Sequence, residues 1–275
     1  MPLRLKLALS YLLIGLIPVL AMAFVVYQQA SEALRVQTLN ALEAVANIKQ
    51  QQLLDNWQER HNQISTLASN LSNSYDGLDT NALLSSSNYD RPIFENFIAT
   101  FGYRELKLVL PDGTVMFSLR RGDDYQNNLG SQALRNTPLA QLVKQSAEQR
   151  QILISDLLYN ELSQAPTQYL AAPIGSGDEL QMTLVLELPI APLNAVMQTR
   201  QGLGEQGETY LVGSDSRLRS DSVRFPELQV NRSLSPSTAL TANAISRALQ
   251  GLESQLGVFH GEVQAETARG VGGTL

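Results

Sequence analysis

Cysteine is absent from the 275 residues, and histidine occurs only twice, at His61 and His260. Without cysteine there is no disulfide framework, thiolate zinc site, cysteine nucleophile or iron–sulfur cluster. Two histidines leave little for a His-rich metal centre. A Ser/His/Asp hydrolase needs a histidine to relay the proton. His61 falls in a long helical stretch and His260 near the C-terminal end, neither beside a nucleophile-like turn, and no G-x-S-x-G occurs. The chain is therefore expected not to be an enzyme and to need no cofactor. Basic residues are also short: 20 Lys and Arg face 26 Asp and Glu, a net charge of −6. A general nucleic-acid binder leans basic, so that class is set aside. Glycine (18) and proline (11) are too few for collagen-like or low-complexity chains.

The charge that is present is uneven. Arg4 and Lys6 precede a stretch, Leu7 to Ser31, with no charged residue. Its apolar part, Leu7 to Tyr27, is long enough to cross a bilayer at about 1.5 Å per residue. Transmembrane helices tolerate a proline such as Pro18. By the positive-inside rule the two basic residues place the N-terminus in the cytoplasm and the bulk outside. The expected location is thus the inner membrane, single-pass, with the bulk periplasmic. Two other readings fit less well. In a cleaved signal peptide Ala21-Met22-Ala23 would be the cleavage site, but the apolar run continues past it. A buried core helix would need a polar face, which the run lacks.

Beyond the apolar run the sequence stays helical to about Tyr75, with no proline from Val19 to Arg91 and no glycine from Leu16 to Asp76. Apolar residues recur at heptad-like spacing at Leu34, Ala41, Ile48, Trp57, Ile64 and Leu71. That pattern predicts a helical stalk and a homodimer through it, or a spine packed along its own domain. Ser72 to Asp90 reads as polar loop. Glu105–Leu110 and Thr114–Leu119 flank Pro111-Asp112-Gly113, a hairpin in which proline presets the turn and glycine supplies positive φ. A polar loop, Arg120 to Asn128, leads to a helix at about Ser131–Gln149. Strands follow at Gln151–Leu157, Gln168–Ile174 and Gln181–Leu188. Hairpins with an inserted helix predict an antiparallel α+β fold. Pro189–Arg200 reads as a connecting helix. From Glu208 the order of strand, turn, strand and helix (Thr241–Gln250) is repeated, and the pattern decays after Gly251.

These blocks resemble the N-terminal part of a bacterial methyl-accepting chemotaxis receptor with a double Cache sensor region. The carriers are LRLKLALSYLLIGLIPVLAMAFVVYQQASEAL (Leu3–Leu34), LNALEAVANIKQQQLLDNWQER (Leu39–Arg60), DLLYNELSQAPTQYLAAPI (Asp156–Ile174) and RQGLGEQGETYLVGSDSRLRSDS (Arg200–Ser222). The resemblance implies a cytoplasmic tail at 1–6, a transmembrane helix at 7–27 and a long periplasmic helix at 28–75. It further implies a membrane-distal PAS-like module at 76–188, a connector at 189–207 and a membrane-proximal module at 208–275 that stays incomplete. The expected function is an extracytoplasmic small-ligand sensor of a transmembrane transducer whose output domain is absent. A histidine-kinase or cyclase sensor, or an anchored solute-binding module, are the alternatives.

The resemblance places the ligand in the distal module, with Arg120, Tyr125, Asp156, Tyr159 and Tyr169 as candidates. An arginine, a carboxylate and tyrosines suit a ligand with a carboxylate and an amine. Tyr159 and Tyr169 as ordinary half-buried sheet residues is the reading left open beside it. The amino-acid-binding subset carries a tryptophan in the pocket, whereas Trp57 lies on the long helix. Tyr210, Arg219 and Asp221 match the proximal block and read as structural. Gly122-Asp123-Asp124 lacks the alternating spacing of a calcium loop. Gly202–Gly207 matches GxGxxG but follows a helix and precedes a strand, the reverse of a dinucleotide site, so it reads as a connector.

Overall fold

The computed structural model describes residues 3–160, 163–175, 179–204, 207–213, 215, 217–225 and 228–235. The helix expected at Thr241–Gln250 and the region after Gly251 lie outside them. Helix α1, Leu3–Tyr75, is 73 residues long, about 110 Å. A single window of 18 residues near its start has a mean hydropathy of 1.6 and none of it is covered by the rest of the protein. Burial then begins at Val45 and follows a 3.6-residue period through Lys49, Leu53, Arg60, Ile64, Leu67, Leu71 and Tyr75. The heptad-like set therefore divides. Ile64 and Leu71 enter the core, while Leu34 and Ile48 are 64% and 58% exposed.

The expected loop at Ser72–Asp90 is mostly helix instead: α2 spans Thr80–Tyr89. Asp79 caps it, accepting from the Ala82 N–H at 2.8 Å. The serines and asparagine that suggested loop turn back on their own helix. Ser85 donates to the Asn81 carbonyl, Ser87 to Leu83 and Asn88 to Leu84. Helix α3, Arg91–Phe101, ends at Gly102, whose φ of 72° is left-handed.

The strands are β1 Glu105–Val109, β2 Val115–Ser118, β3 Leu153–Ile154, β4 Leu158–Asn160, β5 Ala165–Ile174 and β6 Met182–Leu188. They form an antiparallel sheet in the order β2-β1-β6-β5-β3, with β4 also pairing with β5. The β1–β2 hairpin stands where expected, with Gly113 at φ 89°. Asp112 accepts from the Thr114 N–H at 2.9 Å. The strand expected at Gln151–Leu157 shrinks to β3, and β4 was not foreseen. Helix α4, Pro138–Gln149, starts later than expected because Thr137 caps it and Pro138 occupies its first turn.

Both faces of the sheet are covered. Helices α1, α2 and α3 pack on Leu106, Leu108, Phe117, Leu170, Leu184 and Leu186. On the other face α4 packs on Val109, Val115, Ala171 and Val185 through Leu139, Leu142 and Val143. Helix α5, Ala191–Gln198, leads out of the sheet. Past it, the two strands expected from Glu208 reduce to one bridge, Val212 with Leu218, among the described residues. A short helix, α6 (Val230–Leu234), joins Leu218 and Leu157 in a third apolar cluster.

Candidate functional site

Strand alternation puts Glu105, Lys107 and Val109 on one face of β1 and Val185 and Glu187 on the same face of β6, with Tyr169 and Ala171 beside them on β5. Helix α4 covers the apolar half of this face. The other half is polar, and the segment after β2 folds over it. Lys107 there forms an ion pair with Asp124, both side chains 8% exposed. Glu105 accepts from the N–H groups of Leu106 at 2.8 Å, Leu119 at 2.9 Å and Arg120 at 3.0 Å, and from the Ser118 hydroxyl at 3.1 Å. A buried charge needs such partners.

A small cavity opens at the boundary between the two halves. It is lined by Asp124, Leu129, Leu134, Thr137, Pro138, Leu139, Asn160 and Tyr169. Its volume is about 10 Å³, room for one water molecule. Tyr169 is 2% exposed, and its hydroxyl accepts from Asn160 Nδ2 at 2.8 Å. Burial first, then the nearby carboxylates of Glu187 and Asp124, raise the Tyr169 hydroxyl far above its ordinary pKa. It is a neutral hydrogen-bonding group at any physiological pH. Apolar walls with a few convergent polar groups are what a small-ligand site requires.

The five candidate residues do not converge on this cavity. Tyr169 lines it. Arg120 is exposed, with its backbone on Glu105. Tyr125 is half-buried on the covering segment, and the Arg121 guanidinium lies 5.6 Å from its ring. Tyr159 packs into the third cluster and donates to Gln164 at 3.1 Å. Asp156 faces the region beyond α5, where it binds Arg219 through Nε at 2.8 Å and Nη2 at 2.6 Å. Asp215 stands 3.1 Å from the same guanidinium. Asp124, read as loop, is the partner of Lys107.

Lys107, Glu187 and Asn160 escaped the sequence reading. The usable signal was charge at alternate positions of strands whose other positions are leucine, in a sheet covered on both faces. Two basic residues of α1 were also unforeseen. Lys49 donates to the carbonyls of Val196 and of Thr199, the latter at 2.7 Å, at the C-terminal end of α5. Arg60 donates to the Phe101 carbonyl at 2.6 Å, at the end of α3, and lies 4.7 Å over the Tyr103 ring. Both place a cation where a helix dipole is negative.

No family model matches the chain, and no curated protein matches it. Solved structures do. The ligand-binding domain of the Campylobacter jejuni chemoreceptor Tlp3 in complex with 4-methylisoleucine aligns with a TM-score of 0.53 at 12% identity, covering 75% of each chain. The sensory domain of the same receptor with isoleucine bound aligns at 0.50 and 12%, over 70% of this chain and 72% of that one. The ligand-binding domain of the Pseudomonas fluorescens chemoreceptor CtaA in complex with L-serine aligns at 0.51 and 14%, over 73% and 76%. A long helix backing an antiparallel sheet, with a second set of helices over the far face, is thus the fold of chemoreceptor sensory domains, and this chain has it.

Proposed function

We propose that the chain is the extracytoplasmic small-ligand sensor of a transmembrane signal transducer, held in the inner membrane by the start of α1. The carrying observation is the cavity under α4, where apolar walls meet Tyr169, Asn160 and Asp124. Amino acids, bound by the similar receptor domains, are the first ligand class to try. A ligand of that size must displace the segment between β2 and α4, with Arg120 and Tyr125 bordering its path. Asp156 and Tyr159 then serve the signal rather than the ligand. Asn160 touches the cavity and Asp156 grips Arg219, and the two stand at either end of β4. Binding would favour one packing of β4 against the region beyond α5. Lys49 ties that region to α1, and helix shifts of about 1–2 Å suffice for such relays.

The exposed stripe Leu34, Ala41, Ile48 supports a homodimer along α1 above the membrane. The functional reading is tested by thermal unfolding of the full chain in detergent against a library of amino acids, amines and small carboxylates. A melting shift for a subset, abolished by Leu134→Trp in the cavity wall, is expected. No shift across the library would overturn it.

A further inference from the structure

Three carboxylates share the polar half of the sheet face, and their situations differ. Glu105 is met by three backbone N–H groups and a hydroxyl. Asp124 is met by Lys107. Glu187 is directly across the strands from both Glu105 and Tyr169, yet among the described residues no group donates a hydrogen bond to its carboxylate and no cation stands within ion-pair distance. It is half-buried, and the nearest buried ammonium, on Lys107, is already bound to Asp124. A second polar group beside it is also incomplete. The Tyr169 hydroxyl accepts from Asn160, and among the described residues nothing accepts its proton. The polar half thus carries one negative charge more than it neutralises, next to a hydroxyl that can still donate.

We infer that Glu187 is the specificity-determining residue of the pocket and receives the ammonium group of its ligand, while Tyr169 donates to an acceptor on the same molecule. This rests on the reading of the cavity as a ligand site. An ammonium supplies the hydrogen bonds and charge that the Glu187 carboxylate lacks, and ion pairing in a half-buried place is stronger than in water. A ligand with a carboxylate and no amine would add a second uncompensated negative charge there. Burial raises the carboxyl of Glu187 above its ordinary pKa, with Lys107 and Arg104 opposing, which is the direction a carboxylate waiting for a cation should show.

The test is calorimetric titration of the full chain in detergent with L-valine, isobutylamine and isovalerate, three probes with the same branched body and different charged groups. L-valine and isobutylamine should bind and isovalerate should not. Glu187→Gln should weaken both amines at least tenfold, with Glu187→Asp intermediate and circular dichroism unchanged. Isovalerate binding as well as the amines, or undiminished amine binding by Glu187→Gln, would overturn the assignment while leaving the sensor reading in place. Failure of all three probes would overturn it too, and the wider library would then decide the sensor reading separately.

Discussion

Arg219 and Asp156 are joined by two parallel hydrogen bonds across 63 residues of sequence, at 2.8 Å and 2.6 Å. The arginine side chain is 5% exposed and the aspartate 39%. The geometry is a fork that lysine cannot reproduce. Arg219→Lys should therefore cost about 1–3 kcal/mol, with the low end favoured by the exposure of Asp156. A double-mutant cycle with Asp156→Asn, followed by thermal unfolding, should return a coupling energy in the same direction. If Asp156 serves as a latch and not as a ligand contact, Asp156→Asn should leave ligand affinity within about twofold while lowering the melting temperature. A large loss of affinity with an unchanged melting temperature would reverse that assignment.

Lys49 and Arg60 lie on one side of α1, eleven residues or about 16 Å apart. Each holds the last carbonyls of a shorter helix. Lys49→Met and Arg60→Met should each destabilise by about 1–3 kcal/mol, because buried carbonyls lose their donors. The two sites share no partner, so their effects should add. Hydrogen exchange should separate them: the lysine variant loosens α5 and the arginine variant α3.

Two glutamates should give opposite pH signatures. Burial raises the Glu187 carboxyl, so its favourable contribution is complete below the unfolded value and lost as pH rises through the folded one. Glu187→Gln should stabilise the unliganded protein at neutral pH, and the advantage should fade toward about pH 4, near the ordinary glutamate value. For Glu208, burial pushes the carboxyl up, but the Tyr210 hydroxyl, the Val223 N–H and the Ser222 hydroxyl outweigh it, and the carboxyl titrates low. The partner Tyr210 is pushed up to about 12. That contribution is present above the unfolded value and disappears as pH falls through the folded one. Glu208→Gln should destabilise at neutral pH and have less effect in acid. Melting curves from pH 3 to pH 8 decide both.

Membrane attachment has a direct check. The protein should stay with the membrane after alkaline carbonate washing, and mass spectrometry should find the Met1–Lys6 end intact. Because the chain has no cysteine, a single Ile48→Cys should give a clean dimer crosslink under mild oxidation. A monomer on non-reducing gels would remove the stalk interface.

What could be read in advance depended on how far apart the deciding residues lie. The end of α1 at Tyr75 was legible because glycine and proline are missing from a long interval. The hairpin around Gly113 was legible because turn chemistry is local. Helix α2 was lost because serine and asparagine suit loops and helices alike until Asp79 supplies a cap and Leu83 a core contact. The site was legible only through Tyr169. Glu187 matters because of strand register, which sets it beside Tyr169, and no local pattern encodes that pairing. The bond between Asp156 and Arg219 is of the same long-range kind.

Proline interrupts α1 once, at Pro18 within its apolar start. Its ring removes the N–H that would bond the Ile14 carbonyl, and helices bend at such points. From Val19 to Tyr75 no glycine or proline occurs. The helix is therefore a stiff shaft with one joint. A tilt imposed at Lys49, about 46 Å up the shaft, cannot be absorbed on the way down. It reaches Pro18 as a change of bend, and it is there, inside the lipid, that a motion of the sensory end would be converted into a change of crossing angle.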